Sequence, residues 1–189
     1  MKAFPELTAA LREMADRMDA SLRASGFAGP ALRMFVAGGI AVNYHCGTRY
    51  TEDVDASFSQ RFVLPRELTI NYRRADGTAA FIYFDHNYNT SFALLHEDFE
   101  ENTLEWPGIG NEGRFVQLRV LAPLDLAVSK LARFSEQDRE DIVALAREKH
   151  FSAGQLRRHV AEALQNYIGD KRPLSISLDL VCAEIGHDG

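Results

Sequence analysis

Two aspartates one residue apart, Asp53 and Asp55, follow a glycine pair, Gly38-Gly39, within the stretch from Phe35 to Asp55. These residue types in this order suit metal-dependent phosphoryl transfer. Adjacent glycines let backbone N–H groups approach a phosphate closely. Residues two apart on a strand point the same way, so Asp53 and Asp55 can hold a divalent cation. Arg49 and Thr51 precede the carboxylates, and the planar guanidinium of Arg49 suits an oxyanion. The competing readings are a strand-ending turn for the glycines, surface aspartates in a turn, and an ion pair of Arg49 with Glu52 or Asp53. Downstream, Lys130 and Arg133 share one helix face, as do Asp138 and Asp141 on the next helix. Either these cations hold an anionic ligand and the aspartates orient them, or the four form an interhelical ion cluster. His45, His86 and His96 show no metal-ligand spacing, and Cys46 reads as a small apolar residue.

The elements that must position these residues are visible in the apolar pattern. Leu7, Leu11, Met14, Met18 and Leu22 recur at helical spacing, with Arg12, Glu13, Asp16, Arg17 and Asp19 between them. Residues 32–37 read as a buried strand running into Gly38. Residues 40–45 fit a short helix closed by Gly47. Residues 54–58 form the next strand, and 65–68 a short helix. Residues 79–84 and 91–95, with turn-rich residues between them, read as a hairpin. Val116, Leu118 and Val120 alternate as a strand does. Three helices follow: one starting at Pro123, and two opened by the capping boxes Ser135/Asp138 and Ser152/Gln155. The tail from Pro173 suits a strand or a helix. The fold class expected is α+β: a small mixed sheet flanked by helices over residues 1–121, then a C-terminal helical subdomain over 122–189.

At 189 residues, with 46% hydrophobic and 25% charged residues, the chain has the composition of a globular protein that can bury its own core. A net charge of −6 argues against a dedicated nucleic-acid-binding module. Between Asp85 and Glu112 there are seven carboxylates and no Lys or Arg, either a solvated edge or a seat for a basic partner. Two distant cysteines give no disulfide framework, and no apolar run reaches membrane-spanning length, so a cytoplasmic protein without membrane contact is expected.

The glycine pair followed by Asp53-Val54-Asp55 resembles the signature of the nucleotidyltransferase superfamily, the polymerase-beta-like fold. The stretch from Pro123 to Arg133, followed by Asp138-Arg139-Glu140-Asp141-Ile142, is similar to minimal nucleotidyltransferases of the abortive-infection (AbiE-type) toxins and their uncharacterised relatives. The resemblance spans residues 31–145. It implies Mg²⁺ held by Asp53 and Asp55 as catalytic carboxylates, and a nucleoside triphosphate bound through Gly38, Gly39, Arg49, Thr51, Lys130, Arg133 and Asp138. It further implies transfer to RNA or a protein hydroxyl, and a toxin opposed by an antitoxin or serving phage defence. One feature departs from the pattern. Active members carry a third carboxylate on a later strand, and the segment expected to supply it, 91–98, has Ala93 near the required place. Glu97, Asp98 and Asp85 are the acidic alternatives. A chain lacking that group would be a nucleotide- or protein-binding module that has lost catalysis.

Overall fold

The structure is a computed structural model and describes residues 2–90, 93–148 and 150–187. The fold is α+β, with small mixed sheets and seven helices among the described residues. It divides into two compact units, one of Met1–Tyr88 with Leu104–Val120, the other of Asn89–Thr103 with Leu121–Gly189.

The first unit begins with helix α1, Pro5–Ala24, whose proline occupies the first turn, where its missing N–H costs nothing. Its face of Leu7, Leu11, Met14, Met18 and Leu22 is buried. Asp19 is buried as well, although its position between apolar residues reads as solvent-facing. Its carboxylate accepts the backbone N–H of Val116 at 2.7 Å and of Phe115 at 3.3 Å, tying α1 to the start of a strand. Strand β1, Leu32–Val36, runs into helix α2, Gly38–Cys46, which ends at Gly47 in the left-handed conformation. Then the chain changes sheets. Strand β2, Asp53–Val54, and strand β3, Ala56–Phe58, belong to different sheets, with Asp55 between them. Residues 54–58 are therefore not one strand, because the backbone at Asp55 must leave one hydrogen-bonding partner for another.

Strands β4, Thr69–Arg73, and β5, Ala79–Phe84, form an antiparallel hairpin closed by a turn at Gly77. This corrects the expected hairpin of 79–84 with 91–95: β5 pairs with the strand before it. Residues 93–95 are not in a strand, and Ser91 and Phe92 lie outside the described residues. Nor do residues 65–68 form a helix. The unit is completed by strand β6, Leu104–Glu105, and strand β7, Val116–Val120. The sheets are β3-β1-β7-β6, with β1 and β7 parallel, and β2-β5-β4, with β2 and β5 parallel.

The second unit holds a short helix α3, Phe99–Asn102, and four longer ones: α4, Pro123–Leu131; α5, Glu136–Arg147; α6, Ala153–Ala163; and α7, Lys171–His187. Both capping boxes form: the side chains of Ser135 and Ser152 accept the N–H of Asp138 and Gln155. The tail is helical. Leu174, Leu178, Val181 and Cys182 are buried at helical spacing, whereas Ile176 and Leu180 are exposed, so the alternation in the sequence is coincidental. Among the described residues, no helix is long and apolar enough to cross a membrane.

Candidate active site

The site begins where β1 meets α2. The N–H of Ala37 donates to the carbonyl of Asp55 at 2.8 Å, so the end of β1 and the aspartate run side by side. Gly38 follows with φ of +57°, and a Cβ placed on it would overlap Oδ2 of Asp55. Only glycine can bring the backbone this close to that carboxylate. A Cβ on Gly39 would meet Nη2 of Arg49 at 2.6 Å and Cβ of Thr51 at 3.0 Å. The glycine pair is thus the floor on which Asp55, Arg49 and Thr51 rest. Helix α2 opens there without a side-chain cap, and the positive end of its dipole favours an anion.

The loop carrying Arg49 and Thr51 is fixed by residues with no obvious signal in the sequence. Asn43, fully buried in α2, donates to the carbonyl of Arg49 at 2.7 Å and accepts the N–H of Phe4 at 3.2 Å. Tyr50 donates to Glu6 at 2.6 Å, and Arg74 stacks over its ring at 4.3 Å. That hydrogen bond lowers the Glu6 carboxyl and, with burial adding to it at the phenol, pushes Tyr50 up to about 12. Thr51 in turn donates its hydroxyl to Oδ1 of Asp53.

Asp53 and Asp55 flank Val54, which is wholly buried, while both aspartates remain partly open. In the parallel pairing of β2 with β5, Asp53 stands opposite Tyr83 and Val54 opposite Phe84. The N–H of Asp85 donates to the carbonyl of Val54 at 3.2 Å, carrying the pairing one step further and bringing Asp85 alongside Asp55. Paired residues share a face, so Asp53, Tyr83 and Asp85 lie on the side opposite the buried Val54 and Phe84. Electrostatics agree: partial burial raises the Tyr83 phenol, and the charges of Asp53, Asp85 and Asp55 raise it further. Burial, with the charge of Asp55 behind it, also raises Tyr88. The acidic residue that the sheet register sets beside the pair is therefore Asp85. Ala93, Glu97 and Asp98 belong to the other unit, and Glu97 accepts a hydrogen bond from Asn166 at 2.7 Å.

Lys130, Arg133 and Asp138 lie together in the helical unit. Lys130 is only 5% exposed, and its ammonium stands 3.4 Å from Asp138 and 2.8 Å from Asp141. Arg133, 76% exposed, donates to both carboxylate oxygens of Asp138 at 2.7 Å. Phe134 takes a left-handed turn with φ of 45°, which lets α5 fold back so that Asp138 meets Lys130. Burial would raise the Asp138 carboxyl, but hydrogen bonds from Arg133 and Ser135 and the charge of Lys130 outweigh it and hold it well below the usual range. The lysine is accordingly a buried member of an interhelical ion cluster with Asp138 and Asp141.

The chain belongs to a family described as "Nucleotidyltransferase of unknown function (DUF6036)", which matches residues 14–175. No curated protein matches. Among solved structures, the chain is similar to an antigenic nucleotidyltransferase-like protein from Paracoccidioides brasiliensis, at 17% identity over 98% of each chain and a TM-score of 0.44.

Proposed function

We propose that this member of the family transfers a nucleotidyl group from a nucleoside triphosphate to a hydroxyl of RNA or of a protein. The observation that carries the reading is the contact of Gly38 with Asp55, where the absence of a side chain makes room for a carboxylate at a helix N-terminus. That juxtaposition suits triphosphate and metal together, because the amides favour the anion and the carboxylates favour the cation. Asp53 and Asp55 would hold Mg²⁺, a hard ion that prefers such oxygens. When bound, Mg²⁺ would neutralise charge developing on the phosphates. Gly38, Gly39 and Arg49 would hold phosphate oxygens, with Thr51 fixing Asp53. Asp85 is assigned the role of the third carboxylate, accepting the proton of the attacking hydroxyl or completing the metal site. Lys130, Arg133 and Asp138 are assigned to holding α4 against α5.

A toxin role is the finer form of the proposal. It is supported by the resemblance of residues 31–145 to the AbiE-type group and by the stretch of seven carboxylates without Lys or Arg, which would suit a basic antitoxin. A module that binds nucleotide without transferring it is the second reading. It is favoured by one observation: Ala93, Glu97 and Asp98, the segment expected to supply a third carboxylate, belong to the other unit.

The test is incubation with each labelled nucleoside triphosphate, Mg²⁺ and total RNA or lysate. Label should pass to an acceptor with the wild type and be lost in Asp53→Asn with Asp55→Asn. Transfer by that double variant at the wild-type rate would defeat the proposal. Mg²⁺-dependent binding without any transfer would select the second reading.

A further inference from the structure

The helical unit gathers three potential metal ligands from distant points in the sequence. Asp125 lies in the first turn of α4, His159 in α6, and His96 in the irregular segment before α3. Each offers one ligand atom, and the three atoms lie within 4.8 Å of one another. The carboxylate of Asp125 is entirely buried, and the two imidazoles are 12% and 13% exposed. Oδ1 of Asp125 is 2.7 Å from Nε2 of His159, but its Oδ2 has no hydrogen-bond partner. A buried carboxylate oxygen without a partner is costly unless something cationic satisfies it.

We infer that His96, Asp125 and His159 form a site for a borderline-soft divalent ion, Zn²⁺ first. Two imidazoles and one carboxylate are a zinc-type donor set, whereas Mg²⁺ favours oxygen alone. Ligands around one tetrahedral zinc stand about 3.4 Å apart at the usual bond lengths, so small side-chain rotations close the group. The rings of His96 and His159 are stacked at 4.5 Å, and that stack opens as both nitrogens turn to the ion. The surroundings supply outer partners. Glu162 lies 4.0 Å from Nδ1 of His159 and 3.5 Å from Nε2 of His96, and Nδ1 of His96 accepts the N–H of Asp98 at 3.2 Å. A carboxylate at Nδ1 of His159 fixes that ring's tautomer with Nε2 turned to the ion and strengthens the ligand. Glu162, 58% exposed, can also swing in as the fourth ligand. Any proton between His159 and Asp125 leaves to solvent as the ion takes its place. Bound there, the ion joins α4, α6 and the segment containing His96. This site is independent of the nucleotidyl-transfer reading, since it shares no residue with it.

The test uses the full untagged chain, stripped of metal, with Zn²⁺ followed by calorimetry and melting temperature, and Co²⁺ by its visible spectrum. The expected result is one Zn²⁺ per chain, a melting temperature that rises with Zn²⁺, and Co²⁺ bands of low-coordinate geometry. His96→Ala and His159→Ala should each weaken Zn²⁺ binding at least a hundredfold, and Glu162→Gln about tenfold. Excess Mg²⁺ should not compete, and Asp53→Asn with Asp55→Asn should leave the affinity unchanged. If His159→Ala does not fold, His96→Ala decides alone, since His96 lies outside the helices. Zn²⁺ affinity undiminished in His96→Ala, no stoichiometric binding, or affinity lost in the Asp53/Asp55 variant instead would each overturn the proposal.

Discussion

The two units treat their carboxylates in opposite ways. In the first, Asp53, Asp55 and Asp85 are partly open and lie near one another on the face that carries Tyr83, and like charges accumulate. In the second, Asp138 and Asp141 are buried, and both are met by Lys130. Accumulated like charge is destabilising unless a cation joins it, whereas a buried, compensated pair holds its own structure. On the proposed function, the contrast separates a place that would take a ligand from a place that holds the fold, although both look like acid–base clusters in the sequence.

The comparison breaks most visibly at Lys130. Lys130→Ala leaves two buried carboxylates facing no ammonium, and stability should fall by about 3 kcal/mol. Asp53→Asn with Asp55→Asn removes repulsion and should leave stability unchanged or slightly raised. Urea unfolding of both variants checks this. A tolerant Lys130 and a destabilised aspartate variant would reverse the assignment of roles.

Acid should reach the same cluster. The Asp138 carboxyl is held well below the usual carboxylate range, so its folded form gives up the proton more readily than its unfolded form does. A depressed carboxyl contributes stability that is fully present above the unfolded value and is lost as pH falls through the folded one. Stability of the wild type should therefore decline below about pH 4, and Asp138→Asn should flatten that decline. A slope in Asp138→Asn equal to that of the wild type would remove Asp138 as its source.

How far all this can be read from sequence depends on distance along the chain. The glycine pair, Arg49, Thr51 and the aspartates fall within eighteen residues of one another, Gly38 to Asp55, so spacing alone brings them together. The capping boxes are legible for the same reason. Asp85 is not, because its place beside Asp55 depends on the register of β5 against β2, and β5 pairs with β4 rather than with residues 91–95. Strand β4 hides because only Ile70 of its side chains is deeply buried, so it shows little apolar pattern. The break between β2 and β3 leaves no mark in Val54–Phe58, since both pieces favour extended backbone. The grouping of His96, Asp125 and His159 spans three elements and has no spacing at all.

Gly38 offers a smaller and sharper test. Alanine there must adopt a positive φ and also displace Asp55, so Gly38→Ala should cost about 2 kcal/mol and abolish Mg²⁺-dependent nucleotide binding. Gly77, with φ of +83° and open space around it, isolates the conformational part. Gly77→Ala should cost about 1 kcal/mol and leave binding intact. Adding Asp55→Ala to Gly38→Ala should recover the difference between the two, a coupling that a double-mutant cycle measures. Equal costs at Gly38 and Gly77, with no recovery, would mean that the approach of Gly38 to Asp55 does not constrain the fold.

The smallest effect compares two serines that open helices in the same way. Ser152 caps α6, accepting the N–H of Gln155 at 3.3 Å while Gln155 accepts the N–H of Ser152 at 2.8 Å. It touches no charge cluster, and Ser152→Ala should cost about 1 kcal/mol, the usual worth of a cap. Ser135 caps α5 but also donates its hydroxyl to Asp138 at 2.7 Å, and its N–H reaches the same oxygen at 3.0 Å. Removing that hydroxyl takes a donor from a buried, ionised carboxylate as well as a cap from a helix. Hydrogen bonds to charged groups contribute more than neutral ones, so Ser135→Ala should cost about 2 kcal/mol. The excess should shrink as pH falls through the titration of Asp138, because a protonated carboxyl needs the donor less. Unfolding free energies of both variants at neutral and acid pH measure it. If the two serines cost the same at every pH, the Ser135 hydroxyl is only a cap, and the charge on Asp138 rests on Lys130, Arg133 and the Ser135 N–H.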